Sequence, residues 1–503
     1  MPVRGADPAR AAPGYSKRWA FMPRRTKILA TLGPATDHPG VLDDLIAAGV
    51  DVVRLNLSHD SHDSQRRRAE TVRDRAWSSG RQVGVLVDLQ GPKIRVGKFK
   101  LGPIALREGD RFCLDAGCSL GDGDQHRVGV TYPELPRDVA RGDTLLLDDG
   151  AIELWVEGVD GDRVDCQVVI GGRLSNGKGI NRKGGGLSAP ALTDKDKADI
   201  VFAAEVEADD LAVSFVRHAA DVRTARRMYE QAGGNGGVVA KIERAESLDD
   251  IDEIIKAADA IMIARGDLGV EIGDAELPAV QKRFIAQARS LNSVVVTATQ
   301  MMQSMIDNPI PTRAEVFDVA NAVIDGTDAV MLSAETSIGM NPPKVVEAVH
   351  RICLEAEKHS SARRSTHRLD TVFGRVDEAI AMACMYTANH LGVKAIAALT
   401  ETGSTVQWMS RISSGIPIYA LTRHVATRRK VTLFRGVYPV SFDVATTDIH
   451  EVNREVIEEL LRRGTVREGD LVIITKGDRS AVEGQTNILK IMRVGEHALL
   501  TED

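Results

Sequence analysis

Apolar residues along the chain come in short runs of strand length, and charged or hydroxylated residues stand where those runs end. Three runs open the pattern, at residues 27–32 (closed by Gly33-Pro34), 52–58 and 83–89. Between them lie stretches with helical spacing, at 42–48 (ended by Gly49) and at about 61–78. The rhythm stops near Lys93. From there to Ala189 the sequence is rich in Gly, Asp, Val and Leu, with short alternating runs at 111–114, 144–150, 152–156 and 165–170 and turn residues between them. This predicts a small all-β domain set into an α/β pattern. The alternation returns at Thr193, a capped helix start, and continues with runs at 211–216, 238–243, 260–265, 294–299 and 329–333. Three runs before the insert and five after it make eight βα units, the number that closes a (β/α)8 barrel. Beyond about residue 370, runs at 395–399, 418–421, 437–440, 471–474 and 488–494 predict an open, mostly parallel sheet with helices on its faces.

The expected fold is therefore α/β: a (β/α)8 TIM barrel with an inserted small β-barrel lid domain and a C-terminal open α/β sheet domain. The boundaries are expected at 1–22 for a disordered tail, 23–92 and 190–365 for the barrel, 93–189 for the lid, and 366–503 for the C-terminal domain. A chain of 503 residues is too long for one core, which agrees with several domains. Residues 1–22 are Arg-, Ala- and Pro-rich without an apolar core, unlike a secretory signal.

Composition narrows the function. A net charge of −7 and 4% aromatic residues give neither a basic footprint nor stacking platforms for nucleic acid. No apolar run is long enough to span a bilayer, so no membrane partner is expected. Five scattered cysteines with no Cys-x-x-Cys read as reduced thiols of a cytoplasmic protein.

The candidate chemistry centres on two stretches, Val238-Val-Ala-Lys-Ile-Glu243 and Ile261-Met-Ile-Ala-Arg-Gly-Asp267. Read as strands, they point Lys241 and Glu243 one way, and Arg265 and Asp267 one way. Two carboxylates at neighbouring strand ends suit Mg²⁺ or Mn²⁺, which keep waters and take few protein ligands. A lysine beside such an ion suits charge developing on a phosphoryl group or an enolate. Gly266 permits a sharp turn with its N–H exposed to an anion. Each stretch alone also fits an ordinary solvated strand end. Polar groups end most of the other runs, including Arg54, Asn56, Asp88, Ser214, Thr299, Ser333 and Glu335, and barrel active sites lie at strand C-termini. The Gly-rich segment at 176–186 reads as a hinge delivering Lys183, or as a solvated linker. Thr400-Glu-Thr-Gly-Ser-Thr405 before a helical run reads as a phosphate nest, or as a polar turn with an N-cap.

These motifs resemble the pyruvate kinase family from residue 24 to the C-terminus. The signals are Val53-Arg-Leu-Asn-Leu-Ser-His59, Asp88-Leu-Gln-Gly-Pro-Lys-Ile-Arg95, Ala240-Lys-Ile-Glu243, Ala264-Arg-Gly-Asp-Leu-Gly-Val-Glu-Ile272, Ala298-Thr-Gln-Met301 with Pro311-Thr-Arg-Ala-Glu315, and Asp325-Gly-Thr-Asp-Ala-Val-Met-Leu-Ser-Ala-Glu-Thr336. The resemblance implies phosphoryl transfer from phosphoenolpyruvate to ADP, giving pyruvate and ATP. It implies Glu243 and Asp267 on the divalent ion, Lys241 on the transferring group, and Arg54 on the phosphate. Gly266, Asp267 and Thr299 would receive the carboxylate, with Thr299 and Ser333 near the proton path. Asn56, His59, Arg95 and Lys183 match nucleotide-contacting positions, and the lid would exclude water.

One departure stands out. Many members have Asp-Thr-Lys-Gly-Pro-Glu and hold K⁺ with an Asn, a Ser, the Asp and the Thr. This chain keeps Asn56, Ser58 and Asp88 but has Leu89 and Lys93, so a tethered ammonium is expected to replace K⁺. Thr400, Thr402, Gly403, Ser404 and Thr405 match the family's effector-phosphate loop. The loop at 476–487 lacks the Trp and Arg-Pro-Gly of a second phosphate site, so a sugar monophosphate or AMP is expected as the effector. The resemblance implies a homotetramer. Two other readings compete with it: a Mg²⁺-dependent barrel lyase acting on pyruvate-type enolates, and a sugar-phosphate sensor on an inactive barrel.

Overall fold

The computed structural model describes residues 24–363, 372–444, 448–477 and 486–496. The expected tail at 1–22 lies outside the described residues.

Eight parallel strands close a barrel in chain order: Lys27–Thr31, Val52–Asn56, Gly84–Asp88, Asp210–Val213, Gly237–Ile242, Ala260–Ala264, Val294–Ala298 and Ala329–Leu332. Their near-continuous Val, Ile, Leu and Ala content fits strands covered on both faces, and nearly every residue in them is buried. Four aspartates set the register at the bottom of the barrel. Asp51, Asp209, Asp259 and Asp328 each immediately precede a strand and accept the amide of Ile28, Val85, Val238 and Val295 on the neighbouring strand, at 2.8–3.0 Å. A one-residue slip of any of these pairs would break the carboxylate–amide bond, and at Asp209 and Asp328 it would orphan a buried carboxylate as well.

The insert between the third and fourth barrel strands is a six-stranded β sheet with a two-stranded companion. It has its own apolar core, including Phe112, Leu114, Val128, Leu145, Leu154 and Val164. The C-terminal sheet has five strands, four parallel and the last, Thr486–Arg493, antiparallel to Leu471–Gly477.

One face of the C-terminal domain closes the barrel floor. Leu29, Val52, Leu86, Met262 and Val294 share a core cluster with Ile396, Met409 and Phe434. Arg411 pairs with fully buried Asp328 (Nη1 to Oδ2, 2.7 Å), and Arg429 pairs with Asp209 at 2.8 Å. The open end of the barrel is therefore the C-terminal mouth, beneath the lid. Among the described residues no helix is long and apolar enough to cross a membrane.

Candidate active site

The strand ends deliver a layer of charge into the mouth. Arg54 and Asn56 leave the second strand, Asp88 ends the third, and Lys241 occupies the fifth. Asp88 is fully buried between two cations, with Arg54 Nε donating to Oδ2 at 2.6 Å and Lys241 Nζ 3.2 Å from Oδ1. Lys241 also meets Glu243 Oε1 at 2.9 Å and donates to Ser214 Oγ at 2.7 Å. Ser214 in turn donates to the Leu89 carbonyl at 2.7 Å. Burial alone would raise the Asp88 carboxyl, but the Lys241 ammonium and Arg54 guanidinium outweigh it and hold it below the usual carboxylate range. Burial would lower Lys241, and Asp88 with Glu243 reverses that, so the lysine stays charged.

Glu243 stands one residue past its strand and accepts the Phe215 amide at 2.7 Å. Asp267 follows a sharper change of direction. The sixth strand stops at Ala264, and Arg265–Ile272 is helical. The expectation that Arg265 and Asp267 share a strand face is therefore corrected. The apolar run ends at Ala264, and Leu268 and Ile272 then pack at helical spacing. Arg265 turns away, pairing with Asp318 at 2.7 Å and donating to the Ala298 and Thr299 carbonyls at 3.2 and 2.6 Å. Asp267 alone lines the mouth. Burial, then the Glu243 charge, pushes its carboxyl up to about 6 against the pull of Lys241 and Lys93. The Glu243 charge beside the raised Asp267 carboxyl makes a pair of carboxylates that a divalent cation would relieve, so the residues present fit Mg²⁺ or Mn²⁺.

Thr299 sits at φ +66°, a strained conformation for a β-branched residue, and Gln300 follows at +55°. Its hydroxyl accepts from Gly266 N–H at 2.8 Å and donates to the Ala298 carbonyl at 2.7 Å. The Gly266 N–H expected to face an anion is thus engaged by Thr299. Glu335 is also redirected: it is fully buried in the helix Ala334–Ser337, accepts the Ser333 and Met302 amides at 2.7 and 3.1 Å, and ties two mouth loops together.

Two cavities result. The smaller, about 90 Å³, is lined by Arg54, Asn56, Ser58, Gln90, Lys93, Ser214, Phe215, Lys241, Glu243, Ala264, Asp267, Thr299 and Met331. The larger, about 270 Å³, runs under the lid and includes Pro92, Lys93, Arg95, Asp148, Asp149, Lys178, Asn181, Phe215, Arg244 and Asp267. Lys93, Phe215 and Asp267 belong to both. Burial, with Lys241 and Arg95, lowers the Lys93 ammonium, while Asp267 and Glu243 oppose the shift.

Of the expected residues, Ser333, His59 and Lys183 line neither cavity, and His59 and Lys183 are exposed. Leu89 is buried in the barrel core and contributes its carbonyl. In the loop at Thr400–Thr405, Thr400 Oγ1 accepts from Gly403 N–H (2.9 Å), Thr402 meets Ser404 (2.9 Å), and buried Thr405 meets Thr486 (2.9 Å). The reading of the 476–487 loop falls largely on residues 478–485, outside the described residues.

Sequence reasoning missed Phe215, Asp148, Asp149, Gln90 and Arg244. Asp148-Asp149-Gly150 carried a signal, because a charged pair before glycine ends the apolar run of the strand Thr144–Leu147. Both aspartates adopt φ +54°, which turns the loop into the cavity wall.

A barrel mouth with two carboxylates, a buried lysine–arginine pair and a second cavity beneath an inserted β domain defines a lidded barrel enzyme for anionic substrates. Comparison with known proteins makes this specific. A family model described as "Pyruvate kinase, barrel domain" matches residues 23–346, and one described as "Pyruvate kinase, alpha/beta domain" matches 378–492. Pyruvate kinase II of Salmonella typhimurium is 54% identical over 475 residues, covering 94% of this chain and 99% of its own. The pyruvate kinase of Haemophilus influenzae is 52% identical over 475 residues, with the same coverage of both chains. That of Mycobacterium tuberculosis is 41% identical over 477 residues, covering 94% of this chain and 99% of its own. The chain belongs to the pyruvate kinase family, and its activity is that of a phosphotransferase of glycolysis.

Proposed function

We propose that the smaller cavity binds phosphoenolpyruvate, the larger one binds ADP, and the phosphoryl group passes between them beside Lys93. The observation that carries this reading is the sharing of Lys93, Phe215 and Asp267 by the two cavities. An oxygen of the ADP terminal phosphate attacks phosphorus. The bond to the enol oxygen breaks, and the enolate left behind takes a proton at its methylene carbon to become pyruvate.

Arg54, oriented by Asp88, grips the phosphoryl oxygens. Lys241, kept charged by Asp88 and Glu243, stabilises the charge that moves onto the enolate. Thr299 orients the carboxylate, and Asn56, His59, Arg95 and Lys183 serve the nucleotide. Glu243 and Asp267 would hold Mg²⁺ or Mn²⁺, which would supply positive charge to offset that on the phosphoryl group and enolate. The lid, 93–189, excludes water, which would otherwise compete for the phosphoryl group. Ser333 acts through the loop that Glu335 secures.

Lys93 supplies the positive charge that K⁺ supplies elsewhere in the family, so turnover does not require K⁺. The loop Thr400–Thr405 takes the phosphate of a sugar monophosphate or AMP. Stronger activation by fructose bisphosphate than by monophosphates would refute that assignment. Exposed Ile310, Phe317, Ile338 and Met340 support burial of a barrel face in a homotetramer. The reduced cysteines and cytosolic substrates support a cytoplasmic location.

The test is pyruvate formation from phosphoenolpyruvate and ADP with Mg²⁺, first without K⁺ and then with it. Turnover in both supports the kinase and the role of Lys93. Turnover only with K⁺ keeps the enzyme and removes the role of Lys93.

A further inference from the structure

The chain leaves the barrel for the lid through Leu89–Lys93 and re-enters it just before Thr193, and one side chain holds both crossings. Asp196 is fully buried in the first turn of the helix Asp194–Glu205. Its Oδ2 accepts the Thr193 N–H at 2.9 Å, which with the Asp196 N–H donating to Thr193 Oγ1 at 3.2 Å makes a capping box, and it also accepts the Thr193 hydroxyl at 2.5 Å. Its Oδ1 accepts the Gly91 N–H at 2.9 Å. The helix cap needs only the bonds between Asp196 and Thr193. The bond to Gly91 reaches across the whole lid insertion to the outgoing crossing.

Gly91 is held from the opposite side as well. It lies at φ +68°, and a Cβ there would stand 2.7 Å from the Phe215 ring. Phe215 has φ +54° and is anchored through its amide to Glu243. Two residues on, Lys93 donates its N–H to the Gly91 carbonyl at 2.9 Å, and its side chain reaches both cavities. Asp196, Gly91 and Phe215 therefore form a contiguous path from the returning crossing to the wall of the site, with Lys93 on the same turn.

We propose that Asp196 is a positioning residue for phosphoryl transfer, joining the two crossings of the lid and fixing the Gly91–Lys93 turn between the two substrates. The inference rests on placing the reaction beside Lys93. If Asp196 served only as a helix cap, its loss and the loss of the Thr193 hydroxyl would have the same consequences.

Steady-state kinetics and thermal unfolding of the full chain, Asp196→Asn and Thr193→Ala separate these roles. An asparagine side chain has one acceptor oxygen and cannot serve Gly91 and Thr193 N–H together. Asp196→Asn is expected to lower kcat at least about tenfold and raise KM for ADP about fivefold, with KM for phosphoenolpyruvate within about twofold. Thr193→Ala is expected to lower Tm while keeping kcat and both KM values within about twofold. Asp196→Asn kinetics within about twofold of the parent, or equal losses of activity in both variants, would overturn the proposal.

If Asp196→Asn does not fold, amide exchange of the unsubstituted chain decides. Gly91 should exchange equally slowly with and without phosphoenolpyruvate and Mg²⁺, while Gly184 and Gly186 on the returning crossing change. Faster exchange of Gly91 with substrate would overturn the proposal. An unsubstituted chain that makes no pyruvate strikes at the assigned reaction instead, and the Gly91 comparison then still reads the joint by itself.

Discussion

Asp88→Asn removes one negative charge from a fully buried point between two cations while nearly preserving shape. The carboxylate lies 2.6 Å from Arg54 Nε and 3.2 Å from Lys241 Nζ. At such distances the contacts are worth about 6 and about 5 kcal/mol in an effective dielectric near 20, before desolvation is counted. Removing one partner of a buried pair leaves a net cost of about 3–5 kcal/mol. Lys241 keeps Glu243 and Ser214, whereas among the described residues Arg54 keeps only the Thr31 hydroxyl at 3.0 Å, so the loss falls on Arg54. A destabilisation of about 3 kcal/mol at pH 7 is expected. The sign with pH follows from the lowered Asp88 carboxyl. Its stabilisation is present above the unfolded value of about 3.9 and is lost as pH falls through the lower folded value, so the gap between parent and variant narrows below about pH 4. Lys241 runs the other way: its raised value contributes stability that is present below the unfolded lysine value and lost as pH rises through the higher folded one. An unaimed Arg54 should also lower kcat about 100-fold. Urea unfolding followed by circular dichroism from pH 3.5 to 8, with a coupled pyruvate assay, reads both effects. A cost under about 1 kcal/mol at pH 7 with unchanged kcat would refute the reasoning, because desolvation would then balance the pair and other groups would aim Arg54.

Lys93→Glu should make turnover K⁺-dependent, read as activity that K⁺ restores and Na⁺ does not; full activity without K⁺ would count against the tethered cation. Thr299→Gly should relieve about 1–3 kcal/mol of backbone strain at φ +66° and lose a hydrogen bond worth about 1 kcal/mol. It should therefore raise Tm slightly while lowering kcat about 100-fold, and a fall in both would show the strain to be small. Glu271 is pushed up by burial from 4.5 to about 7 despite Arg244 at 3.1 Å. A carboxyl raised in the fold costs stability as pH climbs from its unfolded to its folded value, so Glu271→Gln should gain on the parent between about pH 4.5 and 7. A difference in urea midpoint that stays flat across that window would contradict the shift.

How far the sequence could be read follows from which interactions act along the chain and which act across it. The barrel strands were legible because strands covered on both faces must be apolar throughout, and each run of Val, Ile and Ala ends where the backbone meets water. Lys241 and Glu243 were legible for the same reason, since the extended run carries its spacing of two one residue past the strand end and the ion pair at 2.9 Å follows. That logic failed at Arg265, where the strand had already become a helix: a short apolar run followed by Gly-Asp-Leu-Gly fits either continuation until Leu268 finds its packing partners. Phe215 and Asp196 were illegible for a different reason. Phe215 acts through a backbone amide at positive φ, and Asp196 through one bond to a glycine 105 positions away. Thr193 and Asp196 announce a helix cap in any sequence, and nothing local says that the second carboxylate oxygen has another task. Residues that bear charge into a cavity are visible one strand at a time. Residues that hold two crossings of the chain together become visible only once the barrel has closed and the lid has returned to it.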